Sequence, residues 1–164
     1  MAAPAVITRE NPFGNRAAFK LDDGYRSTIA FASVPGLEIW EKEVQPPGID
    51  NGDDIDTTTM WNENYRTHMP RQLNDLTEST VTGAYDPCIY NNLLVLAGSC
   101  ENITITFPDL STLSFWGYIK TVEFSPLVEG EQPEVTLTIQ PTNYDCCNCV
   151  EAGPVMDCTG TCSC

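Results

Sequence analysis

Four segments of this chain alternate apolar and polar residues with period two, and that pattern assigns most of it to β-structure. "YRSTIAFAS" sets Ile29 and Phe31 against Thr28 and Ala30, and "LEIWEKEV" sets Leu37 and Ile39 against Glu38 and Trp40. "NITITFPD" sets Ile103, Ile105 and Phe107 against threonines. "EVTLTIQPTN" sets Val135, Leu137 and Ile139 against Thr136, Thr138 and Gln140. Successive side chains of a strand point to opposite faces, so each segment reads as a half-buried strand. Threonine on the second face suits a strand with one moderately wet side. Ser33-Val34-Pro35-Gly36 lies between the first two segments and has turn chemistry, so those two are expected to form a hairpin. "STLSFWGYIKTVEF" is apolar or aromatic at both parities, which predicts burial on both sides.

One segment breaks the pattern. In "YDPCIYNNLLVLAG", Asp86 suits an N-cap, Pro87 a first helical position and Gly98 the position past the end. Ile89, Leu93, Leu96 and Ala97 would share a helical stripe turned toward a sheet. Residues 57–85 read as two long polar strands, with isolated apolar residues at Met60, Trp61 and Tyr65. An isolated hairpin that polar has little to hold it together, so it makes sense when packed on other chains. The expected fold is all-β: an antiparallel sandwich or partly open barrel with one short helix, whose edges must be managed.

The chain divides into three parts. Residues 1–18 form an N-terminal arm, broken by Pro4, Pro12 and Gly14. Residues 19–145 form the β-domain, and 146–164 a Cys-rich tail. No run of eighteen apolar residues exists to cross a membrane as a helix. "MAAPAVITRENPFGNR" has no long apolar stretch behind a basic one, so synthesis and assembly in a cytoplasm are expected.

Charge narrows the function. Eight basic residues against 23 acidic ones leave a net charge of −15. Such a chain repels nucleic-acid phosphates, and no basic patch overrides that. A surface past which nucleic acid slides without sticking is compatible with this sign.

Catalytic signals are weak. His68 is the only histidine, with no nucleophile or orienting group at a telling spacing. Phosphate loops, zincin motifs and nucleophile elbows are absent. Glu41 and Glu43 straddle Lys42; two carboxylates can run glycoside hydrolysis, but alternating charges on a strand are the commoner meaning. Asp50, Asp53, Asp54 and Asp56 cluster after Pro46-Pro47-Gly48, yet their spacing fails the calcium-loop pattern. No enzyme activity and no cofactor are expected.

Six of the eight cysteines fall in the last nineteen residues, "CCNCVEAGPVMDCTGTCSC". Cys146 and Cys149 form a C-x-x-C, Cys158 and Cys162 a C-x-x-x-C, and Cys147 and Cys164 add two thiols. Cys146, Cys149, Cys158 and Cys162 are spaced to close a tetrahedral zinc site. Disulfides among the six and free thiols are the other two readings. Cys88 and Cys100 are expected as core thiols. A Cys-rich metal-binding module on a β-sandwich carrier is thus one functional alternative.

Several longer stretches carry a resemblance. "WEKEVQPPGIDNGDDIDTTTMWNENYRTHMPRQL", "YDP", "FPDLSTLSFWGYI" and "VEGEQPEVTLTIQPTN" resemble, in that order, segments of the tail tube proteins of phages with long non-contractile tails. The likeness spans roughly 19–145, and the Cys-rich end departs from it. The resemblance implies a structural virion protein closing into hexameric rings that stack into a hollow tail tube, through which DNA passes without specific binding. It implies self-association and contact with tail terminator, tape measure and distal tail proteins, assembly in the host cytoplasm, and no membrane. Pro46, Pro47, Gly48, Asp53, Asp54 and Asp56 fall on the loop expected to reach the next ring, and Glu38, Glu41 and Glu43 are the lumen candidates.

Overall fold

The computed structural model describes residues 26–35, 37 and 39–158. The expected arm over 1–18, Gly36, the lumen candidate Glu38, and residues 159–164 with Cys162 and Cys164 lie outside the described residues.

The strands in chain order are β1 (Thr28–Phe31), β2 (Trp40–Gln45), β3 (Ile49–Asp50), β4 (Ile55–Asp56), β5 (His68–Met69), β6 (Asp75–Leu76) and β7 (Ser79–Ala84). A 3₁₀ turn, Pro87–Ile89, leads into helix α1 (Tyr90–Leu96). Then come β8 (Glu101–Thr106), β9 (Thr112–Phe124), β10 (Glu134–Pro141), β11 (Tyr144–Asp145), β12 (Val150–Glu151) and β13 (Val155–Asp157). The main sheet runs β1-β8-β9-β10-β7-β2, with β13 added beside β9. All its strand pairs are antiparallel.

Alternation places the core on one face. Ile103 and Ile105 of β8, Phe115 of β9, Val135, Leu137 and Ile139 of β10 and Val81 of β7 are all buried. The opposite face carries hydroxyls that pair across strands: Thr104 with Ser114 at 3.1 Å, and Thr82 with Thr136 at 3.4 Å. Strand β9 is therefore not buried on both sides as expected. Leu113, Phe115 and Ile119 point inward, Trp116 and Tyr118 are half-buried, and the far end of the strand is largely exposed.

Strands β1 and β2 do not form the expected hairpin. Strand β1 pairs with β8 and β2 with β7, so they are the two outer strands of the sheet. The sheet curls until these edges come into contact. Two bulges help it curl, since an extra residue in one strand bends that strand and increases its twist. One skips Lys42, between the pairs Glu41–Gly83 and Glu43–Thr82. The other skips Lys120, between Ile119–Ile139 and Thr121–Thr138. Each bulge lysine finds a glutamate: Lys42 lies 2.6 Å from Glu134, and Lys120 pairs with Glu78. Each bulge also moves the inward face by one residue, so Val44 and Val122 pack on the core from even-numbered positions.

The helix closes the concave side. The Asp86 carboxylate accepts the Cys88 amide at 2.9 Å, Pro87 starts the turn, and Gly98 adopts φ +76 beyond the end. Ile89, Leu93 and Leu96 are buried, as their spacing predicts. Ala97 is exposed, because the backbone has already left the helix to bridge Ile119.

Residues 57–85 are not two long strands. Only β7 is long enough to build the sheet, and the rest belongs to an excursion held by two-residue ladders. Its sequence is polar with scattered apolar residues, and among the described residues long strands here would have no second layer to pack on.

Leu137 is fully buried at the centre of the sheet. Leu137→Ala is expected to cost about 2–5 kcal/mol through lost burial and the cavity left behind, read as a lower midpoint in urea unfolding.

Candidate functional site

Between Gly48 and Thr77 the chain leaves the domain as an arm. Its base is a reciprocal clasp: the Gly48 amide donates to Thr77 Oγ1 at 2.8 Å, and the Thr77 amide donates to the Gly48 carbonyl at 2.9 Å. The β3–β6 ladder follows, and Asn143 Nδ2 donates to Asp75 Oδ1 from the body at 2.9 Å. Of residues 48–78 only Leu76 is buried. Beyond the base, side-chain hydrogen bonds and the β4–β5 ladder hold the arm. At its tip the Thr57 amide donates to the Thr67 carbonyl at 2.9 Å, and the Thr59 amide donates to Asn62 Oδ1 at 2.8 Å.

The arm carries its apolar residues outward. Met60 is fully exposed, Trp61 is 93% exposed and Tyr65 84% exposed, with Leu73 and Ile49 also facing solvent. Several large apolar side chains this exposed on one segment make it a candidate interaction surface. The sequence signal was the isolated apolar residues in a polar stretch.

The residues expected at the ring contact divide by position. Pro46, Pro47 and Gly48 sit at the base, and Asp53, Asp54 and Asp56 are exposed along the arm. Asp54 Oδ2 lies 2.5 Å from His68 Nδ1, so the single histidine is held against a carboxylate of the arm. Asp56 faces His68 in the ladder, and its Oδ1 accepts the Thr58 amide at 2.8 Å.

A second feature is the seam where the two sheet edges meet. The Ile29 amide points away from β8 and donates to Glu41 Oε1 at 3.0 Å. Just past β1, the Ser33 amide donates to Glu101 Oε2 at 3.0 Å. Two carboxylates thus occupy amides along the free edge of β1. Outside the seam lies a groove of about 1070 Å³ lined by Thr28, Trp40, Glu43, Val44 and Ile105 among others.

The lumen candidates separate here. Strict alternation would put Glu41 and Glu43 on one face, but the bulge at Lys42 places them opposite Gly83 and Thr82, on opposite faces. Glu41 turns inward to the seam, and Glu43 is exposed.

The cysteines are also redistributed. Cys146 is disulfide-bonded to Cys100, with a Cα–Cα distance of 6.3 Å. Cys100 is therefore not a core thiol, and neither is Cys88, which is exposed. Cys147, Cys149 and Cys158 are exposed free thiols. Cys146 is not available as a thiolate ligand while it is bonded to Cys100, and among the described residues no three metal-ligating side chains gather. Cys146 lies in the turn of the small hairpin that β11 and β12 form, and β13 pairs with Thr112–Ser114 of β9, beyond the part that β10 covers.

Two outcomes test this geometry. Glu41→Ala strips the Ile29 amide of its acceptor and is expected to cost about 1–3 kcal/mol in urea unfolding, with Glu41→Gln recovering part of it. Asp56 is held below the usual carboxylate value of 3.8, first by its hydrogen bonds from Thr58 and then by the nearby His68. A depressed folded value means that support is complete above the ordinary value and is lost as pH falls through the lower one. Amide exchange at Thr58 is expected to accelerate as pH drops below about 4, beyond the intrinsic rate, and Asp56→Asn is expected to remove that step.

Compared by sequence, the chain matches no protein-family model and no curated protein. Compared by structure, it is similar to a chain from the virion of a native gene transfer agent particle, with a TM-score of 0.60 at 8% identity, over 83% of this chain and 98% of that one. It is also similar to a chain of the anti-feeding prophage baseplate, a 6-fold symmetrised cryo-EM structure, with a TM-score of 0.56 at 10% identity, over 80% and 90% of the two chains. The fold of this chain is therefore one it shares with those two chains.

Proposed function

We propose that this chain is the repeating structural subunit of a phage tail tube, closing with five other copies into rings that stack around a lumen. The arm carries the reading: Met60, Trp61, Tyr65 and Leu73 project into solvent, and nothing among the described residues covers them. The shared fold supports it, since the two similar chains come from a virion and from a baseplate of 6-fold symmetry. A second copy is the natural cover, because an interface that joins unlike faces of identical chains repeats and builds rings or filaments.

In this reading the arm reaches the next ring, with Asp53, Asp54 and Asp56 flanking its apolar tip. Pro46, Pro47 and Gly48 set its angle at the base. Glu43, and Glu38 outside the described residues, are the lumen candidates that remain. A ring of six carries a charge on the order of −90, so DNA passes a wall of its own sign. Burial of the arm's apolar residues offsets that repulsion at the contacts. Residues 1–18 and the tail from 146 are the parts left to add contacts around the β-domain. Tail terminator, tape measure and distal tail proteins are the further partners, and the assembled site is the virion tail, built in the host cytoplasm.

Electron microscopy of the purified protein, with size-exclusion chromatography, is the test. Sixfold rings or hollow tubes are expected, and a stable monomer at high concentration counts against the reading. The double variant Met60→Asp and Trp61→Asp is expected to stay folded by circular dichroism and to stop at monomers or single rings. Normal tubes from that variant would remove the arm from the ring contact.

A further inference from the structure

The turn of the small hairpin at the start of the tail begins and ends on a cysteine. Tyr144 pairs with Glu151 and Asp145 with Val150. The ladder ends there: Cys146 and Cys149 are the first and last residues of the four-residue turn that joins the two strands, and the Cys149 backbone is left-handed at φ +55. The first and last Cα atoms of a tight turn lie less than about 7 Å apart, which overlaps the roughly 4.4–6.8 Å that a disulfide spans. The turn that holds them there is well defined. Asp145 Oδ1 accepts the amides of Cys147 at 2.8 Å and Asn148 at 3.1 Å, and the Cys149 amide donates to the Asp145 carbonyl at 2.9 Å.

Cys149 is a free, exposed thiol in the same turn as Cys146, whose sulfur is bonded to Cys100. The two stand at the C-x-x-C spacing of redox-active cysteine pairs. Cys147 is a poor competitor, because consecutive Cα atoms are only about 3.8 Å apart, too close for ordinary disulfide geometry.

We propose that the Cys146–Cys149 loop is a thiol–disulfide exchange site, at which Cys149 takes Cys146 away from Cys100. The Cys149 thiol gives its proton to solvent, and the thiolate attacks Cys146 Sγ. The Cys146–Cys149 bond forms as the Cys100–Cys146 bond breaks, and Cys100 leaves as a thiolate that takes up a proton. One disulfide and one thiol stand on each side, so the step needs no oxidant. A low-molecular-weight thiol or disulfide of the glutathione class sets whether the reduced, stapled or looped form prevails.

The exchange has a structural consequence. The Cys100–Cys146 bond ties the tail to the body immediately before β8. Once it is exchanged, the described tail beyond the hairpin keeps its three-residue ladder on β9 and loses the covalent tie.

Disulfide mapping on the full-length protein tests this. The protein is equilibrated in glutathione buffers of stepped thiol-to-disulfide ratio, quenched in acid, alkylated and analysed by peptide mass spectrometry. Across part of that range Cys100 is expected to become alkylated while the peptide holding Cys146 and Cys149 keeps an internal bridge. Cys149→Ser is expected to lose that species, so that Cys100 and Cys146 are freed only together. Cys100→Ser is expected to carry the Cys146–Cys149 bridge. The proposal is overturned if the wild-type protein frees Cys100 and Cys146 together at every ratio. It is equally overturned if Cys146 bridges to Cys147 or Cys158 in place of Cys149. The wild-type measurement decides the matter even where a variant folds poorly.

Discussion

A single sheet with one apolar face must cover that face, and here the sheet does most of the covering itself. The inward residues of β7, β8, β9 and β10 meet across the hollow of the curl, with Ile89, Leu93 and Leu96 of α1 closing it. The bulges at Lys42 and Lys120 concentrate the bend where a long side chain can reach a glutamate on a neighbouring segment. Everything else follows from that curvature. It brings β1 and β2 into contact, makes the seam, and leaves an outer face on which threonine and serine pair across strands beside Trp116 and Tyr118.

Curling without full closure leaves two strand edges, which are templates for pairing with another chain. On one of them, Glu41 and Glu101 occupy amides of β1 and the turn after it. Strand β2 is interrupted by its bulge. The edges are thus blunted rather than removed, a suitable state for a subunit meant to meet copies of itself in one geometry. The arm applies the same logic. Its hydrogen bonds give it a defined shape without a core, and its apolar residues stay available for a partner.

The two-residue period identified β1, β8 and β10 and their inward residues, because side-chain alternation is a local property of an extended backbone. The helix was legible for a similar reason: Asp86, Pro87 and Gly98 act on groups within a few residues. What failed was pairing. The turn at Ser33–Pro35 suggested a hairpin, yet β1 and β2 find partners far away in sequence. The polar run over 57–85 was read as long strands, since alternation alone does not reveal whether a face has anything to pack on. Strict alternation also put Glu41 and Glu43 together, and one extra residue at Lys42 separated them.

The sequence by itself determined that β1, β8 and β10 extend and which of their residues go inward, which segment coils, and that a chain of charge −15 carries few groups able to grip nucleic acid. Those properties depend on neighbours within one or two turns and on composition. Only the tertiary structure decided which strands pair, where the bulges fall, that the arm stands clear of the body, and that Cys146 meets Cys100 from 46 residues away. Such contacts depend on how the whole sheet bends, and that curvature is a sum over all of its strands, inscribed in no single stretch of the chain.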